Sequence, residues 1–270
     1  MNFILGSGGI RIATHTAGEG EAVVLLHGFP DSSALWRQLT PRLASAGYKT
    51  IAIDQRGFGE SDAPIGVENY ALSVAAGDVL AVMDALKLEK AHLVGHDWGA
   101  ALGWLLAGTH RDRFPSFSAL SLGHSRAYAK GGLPQFIKGW YILPALLPGV
   151  GEWAVRAANW RLLRRAHPTE SEHWIANLSR PGRLTAALNW YRANALHPPD
   201  HPNVTVPVLG VWSDADLALT ERQLQKSAKW VDAPFRYERI EGASHWFPLE
   251  VPERLAPLLL EHFESVRTAH

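Results

Sequence analysis

The segment most informative about the fold is Val94-Gly95-His96-Asp97-Trp98-Gly99-Ala100. It follows the short apolar run 91–94, which predicts a buried parallel strand, and it precedes the Ala/Leu/Trp-rich segment 101–107, which has the composition of a helix. Small residues on both sides of one reactive side chain, at a strand-to-helix junction, are typical of a nucleophile elbow. The backbone turns so sharply there that only glycine fits at the flanks, and the central side chain is pushed out above the sheet. Serine is the usual occupant of this position, whereas here it is Asp97.

The composition indicates one globular domain, and its balanced charge does not point to nucleic acid or an anionic membrane as a partner. The 270 residues are 47% hydrophobic, enough to bury a sizeable core and leave room for an insertion. Lys plus Arg and Asp plus Glu both number 26, so no basic field favours nucleic acid or an anionic membrane. The absence of cysteine excludes disulfides, a thiol nucleophile and thiolate metal ligands.

The N-terminal sequence and the hydropathy predict a protein that neither carries a signal peptide nor spans a membrane. Residues 1–9 lack the basic region and apolar core of a signal peptide. No apolar run approaches the ~20 residues needed to span a bilayer. We therefore expect a cytoplasmic protein without nucleic-acid or membrane partners, and a homodimer is left open as its assembly.

Strand and helix patterns alternate through the first half of the chain. Predicted strands cover 10–14, 22–27, 49–53, 91–94 and 117–122, and predicted helices cover about 31–46, 72–86 and 101–107. Asp31 or Ser32 is expected to cap the first of these helices. The alternation predicts a parallel sheet covered on both faces, with its ligand site at the carboxyl ends of the strands. His27, Asp97 and Gly123 lie at such ends.

The pattern changes between residues 125 and 199, where strand signals are missing and Trp and Arg are frequent. Four segments look helical, namely 133–147, 153–165, 170–178 and 183–196. Alternation then resumes, with predicted strands at 206–212 and 235–240 and predicted helices at 220–230 and 252–266. We interpret residues 1–124 and 200–270 as a core and 125–199 as a helical cap inserted between two strands; a separate helical domain is the alternative.

Later strand ends supply the partners that an elbow nucleophile needs, a base and a group that orients the base. His245 lies in a loop between the last predicted strand and the final helix. Asp214 and Asp216 follow the preceding strand, and either could accept a hydrogen bond from the imidazole. The order nucleophile, acid, histidine is that of the α/β-hydrolase fold. By itself Asp97 is equally a helix N-cap, but the flanking glycines and the later residues favour the nucleophile.

A carboxylate at the elbow attacks an sp³ carbon that carries a leaving group, which forms an alkyl ester on Asp97. Water activated by His245 then attacks the ester carbonyl and regenerates the carboxylate. The oxyanion of this second step needs donors, and the backbone N–H groups of Phe29 and Trp98 are placed to supply them. Such a reaction needs neither a cofactor nor a metal.

The leaving group decides the enzyme class. An oxygen in a strained ring leaves as an alkoxide and needs a strong hydrogen-bond donor, whereas a halide needs weak N–H donors in an apolar slot. Tyr141 and Tyr191, in the predicted cap, are candidates for gripping an epoxide oxygen. From spacing alone, a packing role for the two rings is the stronger interpretation.

Over nearly the whole chain, these residues resemble one family, the α/β-hydrolase-fold epoxide hydrolases. His27-Gly28-Phe29-Pro30 resembles the family's HGxP oxyanion motif, segment 95–99 its aspartate elbow and segment 242–246 its histidine loop. The resemblance implies an α/β-hydrolase fold, in which helices flank a mostly parallel sheet and a helical cap is inserted.

The resemblance extends to the acid loop and the cap. Segment 216–219 is similar to the family's acid loop, which favours Asp216 over Asp214. Segment 189–192 closely resembles the second cap-tyrosine motif, which contains Tyr191, and the region of Tyr141 resembles the first less closely.

The resemblance implies an epoxide hydrolase that converts a small apolar epoxide and water to a vicinal diol. It assigns catalytic roles to Asp97, His245, Asp216, Tyr141 and Tyr191, and substrate contacts to Phe29, Trp98, Tyr141 and Tyr191. The tryptophans of the predicted cap suggest an apolar pocket or equally the packing of cap on core; they are Trp140, Trp153, Trp160, Trp174 and Trp190.

Three alternatives share this fold. Haloalkane dehalogenases use the same triad but typically carry Asn at the position of Phe29, and a Phe side chain cannot donate to a halide. Fluoroacetate dehalogenases carry arginines just after the nucleophile, where this chain has Trp98 and Ala101. The third alternative is a non-catalytic ligand-binding homologue, against which the apparently complete triad argues.

Overall fold

One eight-stranded sheet forms the frame of the protein, as described by a computed structural model for residues 1–196 and 200–267. In chain order the strands are β1 (Asn2–Leu5), β2 (Arg11–Ala17), β3 (Glu21–Leu26), β4 (Tyr48–Ile53), β5 (His92–His96), β6 (Phe117–Leu120), β7 (Val208–Ala215) and β8 (Phe235–Ser244). Their order across the sheet is β1-β2-β4-β3-β5-β6-β7-β8. Strands β1 and β2 run antiparallel to their neighbours, whereas β3 to β8 are parallel. The mostly parallel sheet implied by the resemblance is therefore confirmed.

Helices cover both faces of this sheet. Outside the segment between β6 and β7 they are α1 (Thr40–Ser45), α2 (Leu72–Ala85), α3 (Trp98–Thr109), α10 (Glu221–Lys226), α11 (Phe247–Glu250) and α12 (Pro252–Arg267). Because successive strand residues point to opposite faces, Val24 and Leu26 join one apolar cluster with α2 and α3, and Val23 and Leu25 join another with α1 and α12. Within the described residues, no helix has the length and apolar character needed to cross a bilayer.

The prediction of one helix over 31–46 is wrong. Ser33–Trp36 forms a short 3₁₀ helix, and α1 begins only at Thr40. Of the two predicted caps it is Ser32 that acts, accepting a hydrogen bond from the Ala34 N–H at 3.3 Å. Pro41 has no N–H to bond to the preceding turn, so it lies in the first turn of a new helix and one continuous helix cannot form.

All the regular elements between β6 and β7 are helices in the described residues. They are α4 (Ser125–Ala129), α5 (Leu133–Lys138), α6 (Ile142–Ala145), α7 (Val150–Ala166), α8 (Ser171–Leu178) and α9 (Arg183–Asn194), and we call them the helical insert. The predicted helix over 133–147 is two helices, since α5 ends at Lys138 with Gly139 as its C-cap and α6 begins only at Ile142. Helix α7 leaves helical geometry over 157–160. The division into a core and a cap stays a prediction, and residues 197–199 lie outside the described residues.

Candidate active site

Asp97 lies in a sharp turn between β5 and α3, at the carboxyl end of a central strand. Its φ is +52°, a conformation that few non-glycine residues adopt. A Cβ atom on Gly95 would collide with the carbonyl oxygen of Gly99, and one on Gly99 would collide with that of Leu26. The flanking positions therefore admit only glycine. The Asp97 side chain makes no capping hydrogen bond to α3 and instead lines a cavity.

One oxygen of the Asp97 carboxylate is held by backbone donors. Its Oδ1 accepts a hydrogen bond from the Phe29 N–H at 2.9 Å, and the Trp98 N–H also stabilises the carboxylate. A Cβ atom on Gly28 would collide with Oδ1, so the glycine before Phe29 lets the loop approach this closely. The two N–H groups singled out from the sequence thus both act on the Asp97 carboxylate. An oxyanion that forms there would meet donors already in place.

His245 and Asp216 form a buried pair beside Asp97. The Nδ1 of His245 lies 2.7 Å from Asp216 Oδ2, and its Nε2 lies 3.9 Å from Asp97 Oδ2. Asp216 Oδ1 accepts hydrogen bonds from the N–H groups of Ala218 at 2.8 Å and Leu219 at 2.9 Å. With Nδ1 bound to the carboxylate, Nε2 is directed towards Asp97 and is the nitrogen that can take a proton.

Only Asp216 of the two carboxylates considered from the sequence reaches the histidine. Asp216 is 1% exposed and contacts His245. Asp214 is exposed and accepts a hydrogen bond from the Gly242 N–H at 2.8 Å. The geometry therefore agrees with the acid-loop resemblance.

Burial and charge set the protonation states of these groups. Burial raises the pKa of Asp97, against the effects of the His245 charge and the two backbone donors. Burial lowers the pKa of His245, but the Asp216 carboxylate outweighs it and the net shift is upward. Burial also acts on Asp216, yet the charge and hydrogen bonds around it hold its pKa below the usual value. Asp216 is therefore a stable anion and His245 a stronger base than a free imidazole. The carboxylate of Asp97 carries a poorly solvated negative charge.

His96 is a member of this cluster that the sequence analysis did not single out. Its Nε2 lies 2.9 Å from the carbonyl oxygen of His245, and the two ring centroids are 4.5 Å apart. Burial holds the pKa of His96 well below its usual value, so the ring is neutral and Nε2–H donates to that carbonyl. The available signal was its place next to Asp97 at the end of a central strand.

A cavity of about 500 Å³ lies between the sheet edge and the helical insert. Asp97 and Trp98 line it from the sheet side, and mainly apolar side chains of α5, α6 and α9 line it from the insert. For the five insert tryptophans a pocket and the packing of cap on core were equally open; Trp140 lines the cavity, and Trp160 packs partly buried against the apolar core. Trp174 and Trp190 are buried where the insert packs on Trp246 and on Phe58 and Trp98, respectively, and Trp153 is 72% exposed.

Both predicted tyrosines line this cavity. The Tyr191 ring packs edge-on against Phe29 and Trp98, with centroid distances of 5.7 and 5.0 Å. The Tyr141 ring lies 6.2 Å from that of Tyr191. Burial raises the pKa of both phenols well above the usual value, so both hydroxyls stay protonated and can donate. Tyr128 of α4 also lines the cavity and was missed from the sequence.

Comparison with known proteins shows the family to which the chain belongs. Residues 21–252 match the family model described as alpha/beta hydrolase fold. An AB hydrolase superfamily protein YfhM of Bacillus subtilis is 31% identical, over 95% of this chain and 96% of that protein. Epoxide hydrolase A of Mycobacterium tuberculosis is 30% identical, over 96% of this chain and 95% of its own. The crystal structure of epoxide hydrolase A from Mycobacterium thermoresistibile superposes with a TM-score of 0.83 at 27% identity, covering 97% of both chains.

Proposed function

Because this chain belongs to the α/β-hydrolase family, in the branch of the epoxide hydrolases, we propose that it opens an apolar epoxide to a vicinal diol. The observation that carries the proposal is an aspartate at the elbow, with one oxygen on backbone donors and the other facing a histidine. A serine there would indicate acyl transfer, whereas a carboxylate forms its ester by attack on an sp³ carbon.

In the first step Asp97 Oδ2 attacks one oxirane carbon. The C–O bond of the ring breaks as the new ester bond forms, and the oxirane oxygen takes a proton from a phenol. Tyr141 and Tyr191 serve as these donors, since both hydroxyls are protonated and face the cavity that contains Asp97. Proton donation by positioned side chains contributes typically about 10²–10⁴-fold to a rate.

In the second step water attacks the ester carbonyl carbon while His245 Nε2 takes its proton. Negative charge collects on Oδ1, which already accepts the Phe29 N–H, and the Trp98 N–H beside the carboxylate adds a second donor. Collapse of the tetrahedral intermediate breaks the bond between the carbonyl carbon and the ester oxygen, and His245 returns the proton to the departing diol oxygen. Asp97 is left as a carboxylic acid, and its proton restores the phenol that was deprotonated in the first step. Asp216 keeps the imidazole oriented and stabilises its cationic form.

The helical insert, as the proposed cap over residues 125–199, supplies the epoxide-binding side of the site. The side chains of Phe136, Trp140 and Leu143 line the cavity and are also 56–66% exposed, so they form its mouth. An apolar mouth and an apolar wall favour substrates with hydrocarbon substituents. The halide alternative is weakened by Phe29, whose side chain packs on Tyr191 and offers no donor.

A product panel tests the proposal. Purified protein and its Asp97→Asn variant are incubated with aryl and alkyl epoxides and with 1-bromoalkanes, and diol and bromide are measured. Asn is the better replacement than Ala, because Asn tolerates a positive φ such as the +52° at this position. We expect diol from the wild-type protein, a loss on the order of 10⁴-fold or more in the variant, and no bromide.

Other outcomes separate the alternatives. Bromide without diol would identify a dehalogenase and leave the two tyrosines without a catalytic role. Release of neither product, together with tight binding of an epoxide analogue, would identify a non-catalytic ligand-binding homologue. Diol formation that survives in Asp97→Asn would contradict the assignment of the nucleophile.

A further inference from the structure

The cavity contains a third phenol that neither proposed step uses. Tyr128 lines the same cavity as Asp97, Tyr141 and Tyr191. Burial raises the pKa of Tyr128, and the negative charge of Asp97 adds to the rise, so the hydroxyl stays protonated and is a donor. An oxirane oxygen has two lone pairs, and Tyr141 and Tyr191 already supply two donors for them. A third donor in the cavity therefore needs another acceptor.

The Tyr128 hydroxyl is held beside a fixed polar side chain. Gln135 is 3% exposed, and its Oε1 accepts hydrogen bonds from the N–H and Oγ1 of Thr220, both at 3.0 Å. Its Nε2 donates to the Ala218 carbonyl at 3.1 Å. The Gln135 amide also interacts with the Tyr128 phenol and opposes the rise of its pKa, as a donor to the phenol oxygen would. The hydroxyl also lies 3.3 Å from the position that a Cβ atom would take on Gly139.

Gln135 Oε1 already accepts two hydrogen bonds from Thr220, one for each lone pair, so this oxygen leaves the Tyr128 proton free. Among the described residues, no protein oxygen accepts a hydrogen bond from the Tyr128 hydroxyl at hydrogen-bond distance. The cavity wall around it is mainly apolar, with Phe136, Ile142 and Leu146 from the same part of the insert. A donor at an apolar wall discriminates strongly, because a substrate without an acceptor leaves it unpaired.

We propose that Tyr128 forms a polar subsite that donates a hydrogen bond to a second oxygen of the substrate. This inference rests on the proposed epoxide hydrolysis and narrows its substrate class. The preferred substrates are epoxides with an ether, hydroxyl or carbonyl oxygen on the substituent of the oxirane ring. Tyr128 is then a specificity-determining residue, whereas Tyr141 and Tyr191 act on the ring oxygen.

Matched pairs of terminal epoxides test the subsite. The two epoxides of a pair have substituents of the same length, and one of them carries an ether oxygen in place of a methylene group. The position of this oxygen along the substituent differs from pair to pair. The kcat/KM for diol formation is measured for the wild-type protein, Tyr128→Phe and a control, Tyr48→Phe. The Tyr48 hydroxyl lies 3.5 Å from Glu264, and Tyr48 is not among the cavity-lining residues. The ratio within a pair, compared between variants, cancels the intrinsic reactivity of the two epoxides.

We expect the ether-to-alkyl ratio to be highest at one ether position and to fall about 3- to 10-fold there in Tyr128→Phe. The control should keep the wild-type ratio at every position. An unchanged ratio in Tyr128→Phe would overturn the inference. If kcat/KM also fell equally for both members of a pair, the Tyr128 hydroxyl would act on the ring oxygen instead. Absence of diol from every epoxide would overturn the proposed function and this inference together, whereas diol with an unchanged ratio overturns the inference alone.

Discussion

The two sides of the cavity are built by different means. On the sheet side, Asp97, Asp216 and His245 are fixed by hydrogen bonds, most of them from backbone N–H groups in tight loops. On the insert side, Tyr191 is fixed by ring packing, and within the described residues no protein oxygen accepts its hydroxyl proton. The catalytic groups on the sheet side are hydrogen-bonded to the protein, whereas the insert side presents hydroxyl donors that are available to a ligand.

This difference divides the chemistry. Hydrogen bonds to charged groups set both position and pKa, so the sheet side determines whether a covalent intermediate forms and whether it is hydrolysed. Ring packing fixes a phenol in place but leaves its proton for a ligand, so the insert side determines which substrate binds and how fast its ring opens. Substitutions on the sheet side should therefore have larger effects than substitutions on the insert side.

The largest effect that tests this division is expected for His245→Gln. Ester formation needs only Asp97 and the phenols, but hydrolysis needs the imidazole, so turnover should fall on the order of 10³-fold or more while the ester accumulates. A rapid-mix assay should give one equivalent of consumed epoxide. Mass spectrometry should find the added mass of the epoxide on the peptide that contains Asp97.

The matched control is His173→Gln, which changes an exposed histidine of α8. It should retain wild-type turnover and show no stable ester. Wild-type turnover in His245→Gln would contradict its role as the base. A variant that neither turns over nor accumulates ester would mean that His245 is needed for ester formation as well as for ester hydrolysis.

A smaller effect is expected for Asp216→Asn, with a defined sign in its pH dependence. The Asp216 carboxylate raises the pKa of His245, so its removal should lower that pKa. His245 must be neutral to accept a proton, and activity is lost as the pH falls through its pKa. The acid limb of kcat should therefore lie at lower pH in the variant than in the wild-type protein, with a loss of about 10²-fold at the plateau.

Asp214→Asn is the matched control, since it removes a carboxylate two residues away that binds the Gly242 N–H. Its pH profile should coincide with that of the wild-type protein. If the acid limb moved in Asp214→Asn and stayed in place in Asp216→Asn, the orienting acid would be Asp214 and the observed pairing would not be the functional one.

The sheet side could be predicted largely from sequence because its key residues lie in short motifs. A Cβ atom on Gly95 would collide with Gly99 inside the turn itself, whereas one on Gly99 would collide with Leu26 of the neighbouring strand β3. The one motif therefore encodes both the turn and its close approach to β3. The choice between Asp214 and Asp216 was not local. Both follow the same predicted strand over 206–212, whereas in the structure Asp214 still lies in β7 and only Asp216, beyond its end, reaches His245.

The insert side could be predicted less well because its contacts join distant parts of the chain. Gln135 binds Ala218 and Thr220, which lie 83 and 85 residues later, and no periodicity reports such a pairing. Tyr128 had no motif around it to separate it from a packing tyrosine. The break at Gly139, which divides the predicted helix over 133–147, brings Tyr141 to the cavity on a separate short turn.

The smallest effect is expected for single removal of a phenol that binds the ring oxygen. Tyr191→Phe keeps the ring that packs on Phe29 and Trp98 and removes only the donor. Since Tyr141 still donates, ester formation should slow about 10- to 100-fold, and hydrolysis of the ester should keep its wild-type rate because the sheet side is untouched. Single-turnover kinetics separate the two steps.

Tyr141→Phe gives the comparison that sharpens this prediction. Among the predicted site residues, the Tyr141 ring contacts only that of Tyr191, so fewer ring contacts hold the Tyr141 hydroxyl in place. Its removal should therefore slow ester formation no more than removal of the Tyr191 hydroxyl does. The double variant should lose ring opening far beyond either single one, because no donor then meets the leaving oxygen. An unchanged rate of ester formation in Tyr191→Phe would remove the donor role from the insert side. A slowed hydrolysis step in that variant would mean that the two sides of the cavity do not act independently.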